Sequence, residues 1–520
     1  MTEGDSRGAD TWPSLVSTAL MGVNRREVPR AADLPATPAE EPAAALLDRA
    51  AAAVVRRRAG QVPGTAEPVP PAPAETRPVV PDAAARRLEV VLAGEHTRFG
   101  LQDVSGTRVW LLGEWLELAT ERGMRVPPKA LARVLDRGRS DRDLRPRIAA
   151  AVGERGHWLA GHNPKWSYLA EHGLPDERFD PEVWEHGSPA ERHRTLVTLR
   201  ARAPARAREL LEGVWAGERA GPRRELLLTL DTNLSVDDEP FLERALDDRG
   251  AAVRGAALAL LARLPDSAHA DRLCAYAREH VWLGAPNRGG DRPLRVVAPE
   301  PTDSDLARDL ALVTKTNGKG SGDARGEWLW ALVTHTPLRF WPGHLDASPA
   351  EVGALVAGAG EWDLLAALGN AAVVQRDPEW ARALLPAIER FHGEPRSRRG
   401  QVPEPGALLA VLPVAERCAW VSRLLAEDHE RVLRMPWGIS GLVGSRWTEE
   451  LGGRVAEVID QLSTSGRRTN HLPGVCFDAS FGMPPTMYER FTPTTSNPPS
   501  NVVQLGATLR FRHEMRAEFG

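Results

Sequence analysis

The chain has 520 residues, 42% hydrophobic and 26% charged, with a net charge of −4. That balance belongs to a globular chain with room for roughly three domains or one elongated array, and it excludes a disordered polyelectrolyte. The weak negative charge excludes whole-surface attraction to nucleic-acid phosphates, and Cys274, Cys418 and Cys476 are too few and too far apart for a disulfide framework or a local zinc knuckle.

Met1 to Thr11 is polar and lacks the basic-then-apolar pattern of a secretory signal. The apolar run Ala407 to Ala415 is much shorter than the roughly 20 residues that span a bilayer, so a cytoplasmic location is expected. Within residues 1–58, Trp12 to Gly22 predicts a short amphipathic helix and Pro42 to Arg58 a longer, Ala-rich one. Seven prolines among Gly, Ala and Glu make 59–81 an extended linker.

Helical periodicity then returns. In 82–177 it marks helices near 82–93, 107–122, 127–136 and 141–152. Residues 178–280 carry a repeat at an offset of 31 residues: Arg192, Leu196 and Leu199 are matched by Arg223, Leu227 and Leu230, and again by Arg254, Leu258 and Leu261. A second anchor pair precedes each copy, Phe179 with Trp184, Leu210 with Trp215, and Phe241 with Leu246. Each copy therefore reads as two short helices that bury their apolar stripes only by stacking on their neighbours, with the six leucines as the repeat core. Residues 281–464 continue in helix pairs of looser register, with Ser348-Pro349-Ala350-Glu351 as a capping box and Asp377-Pro378 as a helix start before Trp380, Leu384 and Ile388. Gly284 to Asp291 and Thr316 to Gly326 read as loops, and Leu294 to Val297 is the one mild strand candidate. Residues 465–520 read as an irregular tail ending in an amphipathic helix, Val503 to Phe519, whose Leu505, Leu509 and Phe511 would dock back on the array. The predicted fold is all-α: an α-solenoid of HEAT-like helix pairs with a Pro-rich N-terminal linker and an irregular C-terminal segment.

Catalytic patterns fail one by one. Gly318-Lys319-Gly320-Ser321 lacks the order of a phosphate loop and no strand precedes it. Ser440 in Trp437-Gly438-Ile439-Ser440-Gly441 misses nucleophile-elbow spacing by one residue. His157 with His162, and His186 with His193, lie five and seven apart, whereas helical metal ligands sit three or four apart. Asp237, Asp238 and Glu239 sit where a helix start wants negative charge. No cofactor, metal site or catalytic residue is assigned.

Tryptophan stands out, 16 residues against 3 tyrosines. Trp158, Asn163 and Trp166 flank one helix break and Phe340-Trp341 another; these are candidate partner-binding anchors, or rings buried where helices meet. Glu121 to Arg147 holds nine Lys or Arg against four acids, so Arg139, Arg142 and Arg145 define a possible basic face, or a solvated one.

Trp12 to Pro29 (WPSLVSTALMGVNRREVP), Trp158 to Trp166 (WLAGHNPKW) and Asp238 to Ser267 (DEPFLERALDDRGAAVRGAALALLARLPDS) resemble an uncharacterised bacterial family of HEAT-like helical-repeat proteins, a domain of unknown function typically encoded beside MoxR-type AAA ATPases and von Willebrand A-domain proteins. The resemblance runs from Trp12 to about residue 450. It implies a scaffold or adaptor in an ATP-driven remodelling or metal-insertion system, with one of those proteins as partner, and carries no catalytic residue. The sequence thus predicts a non-catalytic scaffold that binds another protein. The alternatives are a nucleic-acid-binding repeat protein using the 121–147 face, and hydrolytic or metal-dependent catalysis.

Overall fold

A computed structural model describes residues 12–29, 41–59, 69–101, 106–171, 179–312, 324–392, 405–434, 438–464, 471–492 and 498–520. Gly318 to Ser321, Trp437 and residues 60–68, 465–470 and 493–497 lie outside the described residues. Among those described, the chain is helical almost throughout, as expected of an all-α protein. The exception is a hairpin in which Val281–Leu283 pairs antiparallel with Leu294–Val296, closed by the predicted Gly284 to Asp291 loop.

The chain divides into two units, Met1–Pro71 and Ala72–Gly520. In the smaller, helices Trp12–Met21 and Pro42–Ala59 meet over Leu15, Val28, Leu46 and Ala53. Arg49 donates to the carbonyls of Val28 and Pro29, at 3.0 and 2.9 Å, and ties the intervening turn to the second helix.

The larger unit begins with chain that the proline content marks as a tether, yet its last residues are fastened down. Val80 N–H donates to the Arg125 carbonyl (3.2 Å) and Arg125 N–H to that of Pro78 (2.9 Å). The Glu75 carboxylate accepts from the N–H groups of Glu154 and Arg155, at 3.1 and 3.0 Å, at the start of helix Gly153–Gly161. Proline fixes an extended backbone, and extended backbone presents unpaired N–H and C=O groups that another segment can pair.

Helices Pro189–Arg202, Ala220–Leu228 and Ala251–Leu261 carry the three repeat copies. Leu196, Leu227, Leu230, Leu258 and Leu261 are buried in one apolar cluster with Trp184, Leu211, Phe241 and Leu246, and Leu199 is half-buried against it. The repeated arginine is part of this packing. Arg192 lies 5.0 Å over the Trp184 ring and pairs with Glu218 at 2.5 Å; Arg223 lies 5.7 Å over Trp215 and pairs with Asp248 at 2.7 Å. Arg254 instead donates to the Asp248 carbonyl at 2.9 Å.

Asp238 does more than cap. Its carboxylate accepts from Ser235 N–H at 3.1 Å, as a helix-start acid should, but it is also fully buried against the equally buried Arg200. All five Arg200 donors are used, on both Asp238 oxygens and on the carbonyls of Thr232, Pro204 and Asn233. Further along, burial opposes charging of two histidines. His269 Nε2 lies 2.9 Å from the Asp309 carbonyl and His335 Nδ1 lies 2.8 Å from that of Ala331. Desolvation lowers both pKa values, that of His335 to about 4.

The largest core draws on described residues between Ala277 and Leu509, with Trp380, Leu384 and Ile388 inside it, and the Ser348–Glu351 capping box forms as predicted. The tail is more ordered than its Pro, Thr and Asn content suggests: Leu472–Gly482 is a helix, Pro485–Phe491 a 3-10 turn, and Ser500–Ala517 a helix. Val475, Cys476, Ala479 and Phe481 of the first are buried on more than one face, so it carries no single apolar stripe for periodicity to reveal. The last helix docks as expected and reaches further. Leu505 and Leu509 enter the largest core, while Phe511, Met515 and Phe519 enter the core of residues 80–169. Gly506 permits this approach, because a Cβ there would stand 2.8 Å from the Phe491 carbonyl oxygen.

Leu227→Ala should cost about 2–5 kcal/mol in urea unfolding, since Leu227 is fully enclosed between copies; a loss below about 1 kcal/mol would show the repeats to be out of register. Asp238→Ala strands a buried guanidinium and should cost about 3–5 kcal/mol, whereas Asp237→Ala, at an exposed neighbour, should stay within about 0.5 kcal/mol. Because His269 and His335 are held neutral in the fold and protonate freely once unfolded, their contribution is present above about pH 6.5 and is lost as pH falls from there toward 4. Urea midpoints measured across that range should fall with pH, and fall less for His335→Gln.

Candidate interaction surfaces

A groove of about 570 Å³ lies between the starts of helices Pro189–Arg202 and Ala220–Leu228. Pro189, Ala190, Gly221, Pro222 and Leu226 give it apolar walls and His193 a polar edge. Local sequence builds each wall. Ser188 and Glu191 form a capping box that fixes where the first helix begins, and these Ser188 contacts hold the Glu191 carboxyl below its ordinary pKa. Arg192, held between Trp184 and Glu218, lines one side with its ion-pair partner. A groove of this size between two helix starts is large enough to admit a few side chains.

The aromatic anchors are divided by the fold. Trp158 is half-buried with its ring edge on His162, centroids 4.8 Å apart, and half-buried Trp166 donates its indole N–H to Asp136 at 3.0 Å. Asn163 accepts from Lys165 N–H at 3.1 Å, closing the turn between them. Phe340 is half-buried, stacked on His344 at 4.7 Å with Arg278 5.1 Å over its ring. Trp341, by contrast, is 1% exposed and belongs to the largest core. Its indole fills space between helices, which removes it from any rim of partner contacts.

The basic stretch is laced with acids. Arg133 pairs with Glu89, Arg137 with Asp141, Arg139 with Asp136 at 3.5 Å, and Arg147 with Glu117. Arg142 is exposed. Arg145 turns inward, donating to the Gly138 carbonyl at 2.8 Å and lying 4.9 Å over the buried Tyr168 ring. The three arginines therefore do not form one outward-facing cationic surface.

Ser440 lies in the short helix Gly438–Val443, where the Asp478 carboxylate accepts from the Ile439 and Ser440 N–H groups at 2.9 and 3.2 Å. His157 Nε2 lies 3.0 Å from the Ala149 carbonyl, and His162 and His186 are exposed. Among the described residues no three His, Cys, Asp or Glu side chains gather as a metal site would require.

A charged seam that local sequence reading misses joins the two ends of the larger unit. Glu114, on helix Thr107–Glu121, accepts from Arg512 at 2.6 Å and from Arg516 at 2.6 Å. Burial works against its ionisation, but the two guanidinium groups prevail and hold its carboxyl below the ordinary range. Arg512 Nη1 also donates to the Ser480 and Met483 carbonyls, at 2.8 and 3.0 Å. Arg87 pairs with Glu514 and Glu518 while lying 4.5 Å over Phe511. These partners stand about 400 residues apart in sequence, where spacing carries no signal.

Comparison with curated proteins and with solved structures finds no match. A family model, by contrast, aligns with residues 14–519, continuing past residue 450 through the charged seam to the last helix. From the first helix to the last, the chain belongs to a family of unknown function, DUF5691.

Proposed function

We propose that this protein is a non-catalytic scaffold in which HEAT-like helix pairs form an α-solenoid segment that holds another protein. The groove between Pro189–Arg202 and Ala220–Leu228 carries this reading: it lies between equivalent helices of successive repeat copies, has apolar walls, and is flanked by a half-buried Arg192–Glu218 pair. Stacked pairs present such grooves because each copy contributes one wall, and apolar walls beside fixed charges supply both affinity and register. The resemblance to proteins encoded beside MoxR-type AAA ATPases and von Willebrand A-domain proteins supports one of these as the partner, with the chain acting as adaptor. Half-buried Trp158, Trp166 and Phe340 extend the contact surface, since Trp and Arg dominate binding energy at interfaces.

Gly221 offers a clean test, because the space beyond its Cα is open for 4 Å. Gly221→Trp should fill the groove while leaving the unfolding midpoint unchanged. Binding of the purified neighbouring ATPase or von Willebrand A-domain protein, measured by calorimetry, should weaken at least about tenfold, or about 1.4 kcal/mol. Equal binding by both forms would overturn the assignment to this groove, and no binding by either protein would overturn the assignment of partner.

A further inference from the structure

A second cavity, of about 390 Å³, opens at the opposite end of the chain, where helix Leu472–Gly482 meets the starts of helices Ser500–Ala517 and Thr107–Glu121. Phe477 and Phe481 form its apolar wall, and Thr107, Ser480, Gln504 and Thr508 bring polar groups to it. No charged side chain lines it among the described residues, although charged residues are 26% of the chain. The wall is stiff. Phe481 stacks on Trp110 with centroids 5.2 Å apart and meets Phe477 edge-on at 5.4 Å. Trp110 and Phe477 remain 39% and 38% exposed.

The hydroxyls divide into two kinds. Ser480 donates its proton to the Cys476 carbonyl at 2.7 Å, and Thr508 donates to that of Gln504 at 2.8 Å, so both present lone pairs to a ligand. Thr107 is 4% exposed, and its hydroxyl makes no hydrogen bond among the described residues. Its oxygen therefore opens to the cavity, where its proton can be donated to a ligand's acceptor atom. Aromatic walls with a few convergent neutral polar groups are the pattern of a small-molecule pocket, and hydroxyls and an amide of this kind suit an uncharged occupant.

We propose that this cavity binds a small, uncharged aromatic molecule bearing a hydroxyl or equivalent group, its ring against Phe477 and Phe481 and its oxygen accepting from Thr107 while donating to Ser480 or Thr508. The ligand fills the junction of helix Thr107–Glu121 with the last two α-helices of the larger unit, so binding also stabilises that junction.

β-Naphthol serves as the probe, titrated into the full chain by fluorescence, with naphthalene sulfonate as its anionic counterpart. β-Naphthol should bind at one saturable site and raise the unfolding temperature, and naphthalene sulfonate should bind at least tenfold more weakly. Thr107→Val removes the hydroxyl at constant shape and should weaken β-naphthol about tenfold. Asn501→Trp, at the half-buried rim, should abolish binding. Gly221→Trp, in the repeat groove, should leave β-naphthol binding unchanged, so this result and that for the protein partner succeed or fail separately. Absence of saturable binding, equal binding of the anion, or full affinity in both cavity variants would overturn the proposal.

Discussion

The larger unit depends on one helix that belongs to two cores. Ser500–Ala517 carries Leu505 and Leu509 on one stretch and Phe511 and Met515 on the next, and each pair completes a different hydrophobic cluster. Fully burying side chains of this size contributes about 1.5–3 kcal/mol each, so the helix is a large share of what joins the first helices to the last. Glu114, bridging Arg512 and Arg516, fixes where along its neighbour it sits. The apolar contacts supply adhesion. The buried charges supply register, because a shifted helix would leave Arg512 without its carboxylate and its two carbonyls.

Arginine plays the same part elsewhere. The planar guanidinium offers five donors and an aromatic-compatible face, and Arg192 and Arg223 use both, each covering an indole while pairing with an acid from the following segment. Arg200 goes furthest, holding the Thr232 to Asn233 turn and Asp238 together from a fully buried position. Asn233 adopts φ +52 at that turn, a left-handed conformation that Asn accepts more readily than most residues. The repeat motif thus encodes polar cross-links as well as a leucine stripe.

Local signals carried much of the architecture. Helix starts were legible because capping boxes such as Ser348–Glu351 satisfy orphan N–H groups within four residues. The leucine spacing was legible because it puts the matched leucines on the inward faces of their helices, where they share one core. What stayed hidden is non-local. Asp238 reads as a cap because its cap partner is three residues away, whereas its buried partner Arg200 is 38 away. Trp341 and Trp158 look alike beside helix breaks, and only the surrounding fold makes one a core residue and leaves the other half-exposed. The basic stretch counted nine cations, but Glu89 and Glu117, outside that window, neutralise two of them. The helix Leu472–Gly482 buries residues on more than one face and so offers no stripe for periodicity to reveal.

Because Phe511, Met515 and Phe519 sit in the core of residues 80–169, that core cannot be finished when its own residues leave the ribosome. At about 5–20 residues per second, roughly 20 to 70 s separate synthesis of Leu169 from that of Phe511. Throughout that interval the nascent chain displays an open apolar surface around Trp115, whose ring packs on Phe519 in the finished fold. Completion of this core therefore waits for the last helix, a delay that a strictly sequential stack of hairpins would not impose.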